Sequence, residues 1–127
     1  WLRGQGNGTF LVVPALESGL SVPYEARGLG VADYDSNGWV DIAVAINNDH
    51  PLLFQNNGNS FNNFIRVVLA GSSPNPAGVG ARLIVTLADG STTMREVQAG
   101  GGYLSQNGPT HIFGLGANGS ATITVLW

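Results

Sequence analysis

The sequence predicts an all-β protein: a β-sandwich of about eight or nine short, mainly antiparallel strands, with a cation-binding loop between two of them. Three observations carry this. Apolar runs of four to seven residues recur along the chain, several with strict alternation, such as Ala81, Leu83, Val85 and Leu87. Clusters of Gly, Pro and Asn separate them, and no long stretch keeps a helical period. The third is Asp33-Tyr34-Asp35-Ser36-Asn37-Gly38-Trp39-Val40-Asp41, with oxygen-bearing side chains at positions 1, 3, 5 and 9 and Gly38 at position 6.

In chain order, Gln5 to Gly8 is turn chemistry leading into a strand at Thr9 to Val13, stopped by Pro14. Residues 15–27 read as irregular, with room for one helical turn at Ala15 to Ser18. Strand Leu29–Ala32, the acidic loop and strand Val40–Ile46 follow. In the latter, Ile42, Val44 and Ile46 share one face, and the small Ala43 and Ala45 predict close packing on the other. After a loop at 47–51 come a strand at Leu52–Gln55 and the turn Asn56-Asn57-Gly58-Asn59-Ser60-Phe61. That turn echoes Gln5-Gly6-Asn7-Gly8-Thr9-Phe10, 51 residues earlier, which is the trace a propeller-blade repeat leaves. One period cannot close a propeller, which needs four or more blades.

The second half begins with a strand at Phe64–Leu69, with Ile65, Val67 and Leu69 inward, and a loop containing Pro74 and Pro76. Ala81–Leu87 and Thr92–Ala99 form a hairpin about Ala88-Asp89-Gly90-Ser91. Strands near Thr110–Gly114 and Ala121–Trp127 close the chain, with Trp127 expected in the core beside Ile123 and Val125. A lone four-stranded blade buries little surface, so the halves are expected to merge into one domain over residues 1–127, or to cover the exposed surface by dimerising.

The chain has 127 residues, 43% of them hydrophobic, enough for a hydrophobic core. Only 10% are charged, the net charge is −3, and the cations are five arginines with no lysine. That excludes a basic stripe for nucleic acid and disfavours an anionic membrane surface; no apolar run reaches membrane-spanning length. Without cysteine there is neither a disulfide nor a thiolate metal site. Few charges with many Gly, Asn, Ser and Thr suit a secreted or cell-surface β-module. The start at Trp1 rather than Met fits a piece excised or processed from a longer chain.

The acidic loop has the chemistry of a calcium site. Ca²⁺ takes six to eight oxygen ligands. Asp33, Asp35 and Asn37 at alternate positions, the carbonyl of Trp39 and the carboxylate of Asp41 could converge on one ion, with Gly38 permitting the turn. Three carboxylates this close repel one another without a cation. The loop is not an EF-hand, because position 12 is Val44 and the flanks are strands. The competing reading is an Asx-rich turn that caps its own backbone. Mg²⁺, which rarely accepts a cage of protein ligands, fits less well.

With its flanking strands and Phe-ending turns, the segment at about residues 4–61 resembles an FG-GAP/VCBS repeat, a calcium-bearing propeller-blade unit. The resemblance assigns Asp33, Asp35, Asn37, Gly38 and Asp41 to the calcium loop; Asn37 stands where that family often has Asp. Residues 62–127 resemble an ASPIC/UnbV domain through Phe64-Ile65-Arg66-Val67, Gly78-Val79-Gly80-Ala81-Arg82, Arg95-Glu96-Val97, Gly102-Tyr103-Leu104-Ser105-Gln106, His111-Ile112-Phe113-Gly114-Leu115-Gly116 and Val125-Leu126-Trp127. Such domains commonly follow these repeats in secreted or surface proteins, and the resemblance implies fold and location more than activity.

Enzyme chemistry has no visible constellation: there is no Gly-x-Ser-x-Gly, and His50 and His111 stand without a paired nucleophile or metal motif. His111, opening a strand, is expected to be packed rather than catalytic. The expected function is therefore binding. Sugars are held by aromatic faces flanked by amides, and the chain offers loop aromatics Tyr24, Tyr34, Trp39 and Tyr103 with twelve Asn. The favoured expectation is a non-catalytic, calcium-stabilised carbohydrate-binding module for polysaccharide of the plant or microbial cell-wall kind. The alternatives are calcium-dependent adhesion or protein contact, for which Tyr- and Asn-rich loops are equally suited, and a rigid spacer.

Overall fold

The computed structural model describes residues 1–58 and 61–127. Among these are ten strands: β1 (Leu2–Gly4), β2 (Phe10–Val12), β3 (Ala26–Ala32), β4 (Asp41–Ile46), β5 (Leu52–Phe54), β6 (Asn63–Val68), β7 (Arg82–Leu87), β8 (Thr92–Glu96), β9 (Thr110–Gly116) and β10 (Ala121–Leu126). One helical turn, α1 (Ala15–Ser18), follows Pro14 and ends at Gly19. Every strand pairing is antiparallel, and the all-β class is as expected. The expected turn at 56–61 includes Asn59 and Ser60, which lie outside the described residues.

The C-terminal half is a small sandwich. Sheet β6–β9 faces sheet β10–β7–β8, and Val67, Ala81, Leu83, Val85, Val97, Phe113 and Leu115 fill the space between. Alternation explains the choice of residues: on β7, Leu83 and Val85 point in while Arg82 points out. The β7–β8 hairpin turns as its Ala-Asp-Gly-Ser predicts. Gly90 adopts φ 83°, the Leu87 carbonyl accepts from the Gly90 N–H at 3.0 Å, and the Ser91 carbonyl accepts from the Leu87 N–H at 2.9 Å.

The N-terminal half is a meander, β3–β4–β5, plus the separate ribbon β1–β2. On β4 the expected inward face is confirmed at Val44 and Ile46, which are buried. The expectation of close packing around Ala43 and Ala45 is not met, for both are exposed: the meander is covered on one face only, and small residues there meet solvent. Trp127 also departs from expectation. It is 72% exposed, because β10 ends at Leu126 and the alternation that turns Ile123 and Val125 inward has no strand left to act on. β1 was not anticipated, since Leu2–Gly4 is three residues long with a single apolar side chain. The two echoing turns have different settings. The first reverses the chain from β1 into β2; the strands on either side of the second in sequence, β5 and β6, belong to different sheets.

The halves meet along the outer face of sheet β6–β9. Because β6 alternates, Ile65 and Val67 face the core while Phe64 and Arg66 face the acidic loop. Ile112, paired with Arg66 in register, is buried on that same outer side. Farther along the seam, Asn107 Oδ1 accepts from the Val31 N–H at 2.9 Å, and a Cβ at Gly28 would lie 3.0 Å from the Leu104 carbonyl oxygen, so a side chain there would press on the segment after β8.

Candidate metal centre

The loop between β3 and β4 folds by its own short-range chemistry. Asp35 Oδ1 accepts from the Asn37 N–H at 3.1 Å, Asn37 Oδ1 from the Trp39 N–H at 2.7 Å, and Asp33 Oδ2 from the Gly38 N–H at 2.9 Å. The first two are Asx turns, which Asp and Asn form because a short polar side chain can mimic the next peptide; the third closes the loop across five residues. Gly38 is required twice over. Its φ is 93°, a region a side chain avoids, and a Cβ there would lie 2.0 Å from a Phe64 ring carbon.

The result is a triad of carboxylates, Asp33, Asp35 and Asp41, with one oxygen of each within 4.8 Å of the others. Asp41 is buried, 2% exposed. Its two oxygens accept from the Tyr34 N–H at 3.0 Å and the Asn56 N–H at 2.7 Å, so it ties the start of the loop to the end of β5. Asp35 is exposed and accepts from the Gln55 side-chain amide at 2.7 Å and the Asn37 amide at 2.9 Å. Asn37 also donates to the Asn56 carbonyl at 3.0 Å.

Asp33 differs from the others. Its side chain is 2% exposed and forms an ion pair with Arg66 of β6, itself 38% exposed. Burial works to raise the Asp33 pKa. The Arg66 hydrogen bond and charge, with the N–H groups of Gly38 and Asn37, outweigh it and hold the carboxyl below its ordinary 3.8. The Gly38 and Arg66 hydrogen bonds both use Oδ2; Oδ1 is buried with no hydrogen-bond partner. A buried carboxylate oxygen without a partner is costly. Asx turns alone leave it unexplained, whereas a cation among the three carboxylates would satisfy it. Hard oxygen donors of this kind suit Ca²⁺.

The structure thus brings Asp33, Asp35, Asn37 and Asp41 into one loop, as their spacing predicts, with Trp39 following on. The Trp39 indole is half-buried and packs against Gly58, where a Cβ would lie 2.2 Å from the ring. Tyr34, Tyr24 and Tyr103 are 53%, 63% and 72% exposed; Tyr24 and Tyr103 stand outside the metal loop. Sequence reasoning missed Gln55, Asn56 and Arg66. The detectable signal for Arg66 was its position on the β6 face opposite Ile65 and Val67, in a chain with only five cations.

His111 is half-buried on β9. Desolvation and then the nearby Arg95 lower its pKa from 6.5. Arg95 lies over the Phe113 ring, 4.9 Å from its centroid.

Residues 71–127 match the family model for ASPIC and UnbV. The matched segment holds β7 to β10 and most of the sandwich core, and it begins after β6, so Arg66 falls outside it. Cartilage acidic protein 1 of Mus musculus is 28% identical over 121 residues, covering 91% of this chain and 19% of that protein. Cartilage acidic protein 1 of Homo sapiens is 28% identical over the same length and is covered to 18%. The chain therefore spans less than a fifth of the length of the curated relatives it matches. No solved structure matches.

Proposed function

We propose that this chain is a calcium-stabilised, non-catalytic binding module of a secreted or cell-surface protein, and that its ligand is polysaccharide. The observation that carries the calcium reading is the buried, unpartnered Oδ1 of Asp33 in a triad of carboxylates. Asp33, Asp35 and Asp41 would bind the ion with their carboxylates, and Asn37 and Trp39 would add an amide and a main-chain oxygen. Bound there, calcium would cross-link β3 to β4 and hold the loop against β6. The FG-GAP/VCBS-like character of residues 4–61 belongs to this reading, as does the folding of both halves as one unit. Similarity to a protein named for cartilage, covering 91% of this chain, supports an extracellular location.

Polysaccharide binding rests on exposed aromatic faces beside amides. Tyr34 and Tyr103 suit this best. Trp39, half-buried against Gly58, is better suited to bracing the loop. Adhesion to a protein partner is the second reading, supported by exposed apolar residues on the β1–β2 ribbon, where Phe10 and Val12 are each 69% exposed.

Thermal melting tests the calcium reading. A ligand that binds only the folded state adds about 2.7 kcal/mol at a hundredfold excess over Kd. Calcium should raise Tm over EDTA in the wild-type chain, and Asp33→Ala should abolish the rise. A wild-type Tm indifferent to calcium and EDTA would refute it. Affinity electrophoresis against soluble β-glucans, xylans and galactans tests the ligand class, and retardation by none would turn the choice to adhesion.

A further inference from the structure

A cleft runs along the seam between the halves. It measures about 800 Å³ and is walled by β3 on one side and by the end of β8 and the following loop on the other. A smaller, separate hollow of about 200 Å³ lies across the edge of β3, on the opposite face of the meander. Val31, Gln106, Asn107 and Gly108 border both, because Asn107 bonds the edge of β3 between the two faces. Tyr34 lines the smaller hollow. The larger volume lies within the range of small-molecule sites, and Tyr103 is the aromatic side chain that lines it.

Two side-chain amides in the cleft present donors. Gln106 is held through its oxygen, which accepts from the Gly100 N–H at 3.0 Å. Asn107 is held through its oxygen by the Val31 N–H at 2.9 Å. The NH2 of each donates to no protein group among the described residues, so both amides are oriented yet retain donors for an acceptor-rich ligand. Two of the five arginines, Arg27 and Arg95, line the cleft, against one carboxylate, Glu96. Arg27 is already paired with Glu25 at 3.0 Å. Arg95 forms no ion pair among the described residues; its guanidinium is placed by the Phe113 ring. A fixed guanidinium without a carboxylate is a bidentate site for one.

A peptide strand added to the free edge of β3 would be the other way to fill such a seam. Asn107 already occupies the Val31 N–H, and Leu104 closes over Gly28, so that edge is covered. Resting on the polysaccharide reading above, we propose that this cleft binds a linear acidic polysaccharide. A uronate carboxylate engages Arg95, hydroxyl oxygens accept from Gln106 and Asn107, and a sugar face packs on Tyr103.

The test uses the calcium-loaded chain in affinity electrophoresis and calorimetry with glucuronoxylan, polygalacturonate and hyaluronan, each beside its carboxyl-reduced form. Binding to at least one acidic polymer is expected, weakened about tenfold or more by carboxyl reduction and by Arg95→Gln, and weakened also by Tyr103→Ala. Melting curves of both variants should stay near wild type; because Arg95 also packs on Phe113, Arg95→Lys, which keeps charge but loses the bidentate fork, provides a second variant and should bind with intermediate strength. Equal binding of acidic and reduced polymers would overturn the carboxylate assignment. Binding that survives Tyr103→Ala and Arg95→Gln but is lost in Tyr24→Ala would place the sugar elsewhere, overturning the cleft while leaving the polysaccharide reading standing. Failure to bind any polymer, acidic or neutral, would remove both.

Discussion

Replacing Arg66 by Gln isolates the electrostatics of the acidic loop. In the wild type the Asp33 side chain is 2% exposed and its pairing cation 38% exposed. The variant leaves a buried carboxylate with the Gly38 N–H at 2.9 Å on Oδ2 and nothing on Oδ1. Removing one partner of a fully buried pair costs about 3–5 kcal/mol. The partial exposure of Arg66 lets water screen the carboxylate, which reduces the expected loss to about 2–3 kcal/mol. For a domain of this size that corresponds to roughly 6–15 °C in Tm. The assay is thermal melting of both proteins in EDTA and in saturating calcium. The deficit should be full in EDTA and smaller in calcium, because the ion supplies the missing counter-charge and binds the variant more tightly once a competing cation is gone. Two results would refute this reasoning: no deficit in EDTA, or the same deficit in both buffers.

Two further outcomes follow from named contacts. Gly38→Ala forces a side chain into φ 93° and onto the Phe64 ring, and should cost about 2–3 kcal/mol by chemical denaturation; adding Phe64→Ala should relieve the clash but not the backbone strain, and no loss in the single variant would count against the described packing. His111, whose pKa is lowered from 6.5 on folding, contributes stability that is fully present above pH 6.5 and is lost as pH falls from there toward the folded value. Wild-type Tm should therefore decline through that window, and His111→Asn should decline less; identical profiles would exclude His111 as the source.

Strand positions and inward faces were legible because alternation is a local property: Leu83 and Val85 read as core from their neighbours alone. The four metal-loop side chains were legible for a similar reason, since the bonds made within residues 33 to 41 span no more than seven positions. Partners contributed from afar were not. Arg66 lies 33 residues from Asp33, and only the packing of β6 beside the loop turns an outward-facing strand arginine into the counter-ion of a buried carboxylate. Trp127 and Ala45 were misjudged because burial depends on which sheet covers which face, a question alternation does not address.

By itself, then, the sequence determined an all-β chain, the inward faces of its principal strands and an oxygen-rich loop shaped by Asx turns and Gly38, all consequences of interactions between near neighbours. Tertiary structure alone decided that Asp33 is buried with one oxygen unpartnered, that Arg66 neutralises it, and that Tyr103 and Arg95 border one cleft. Those facts depend on how two sheets from distant parts of the chain meet, and no local pattern encodes that meeting.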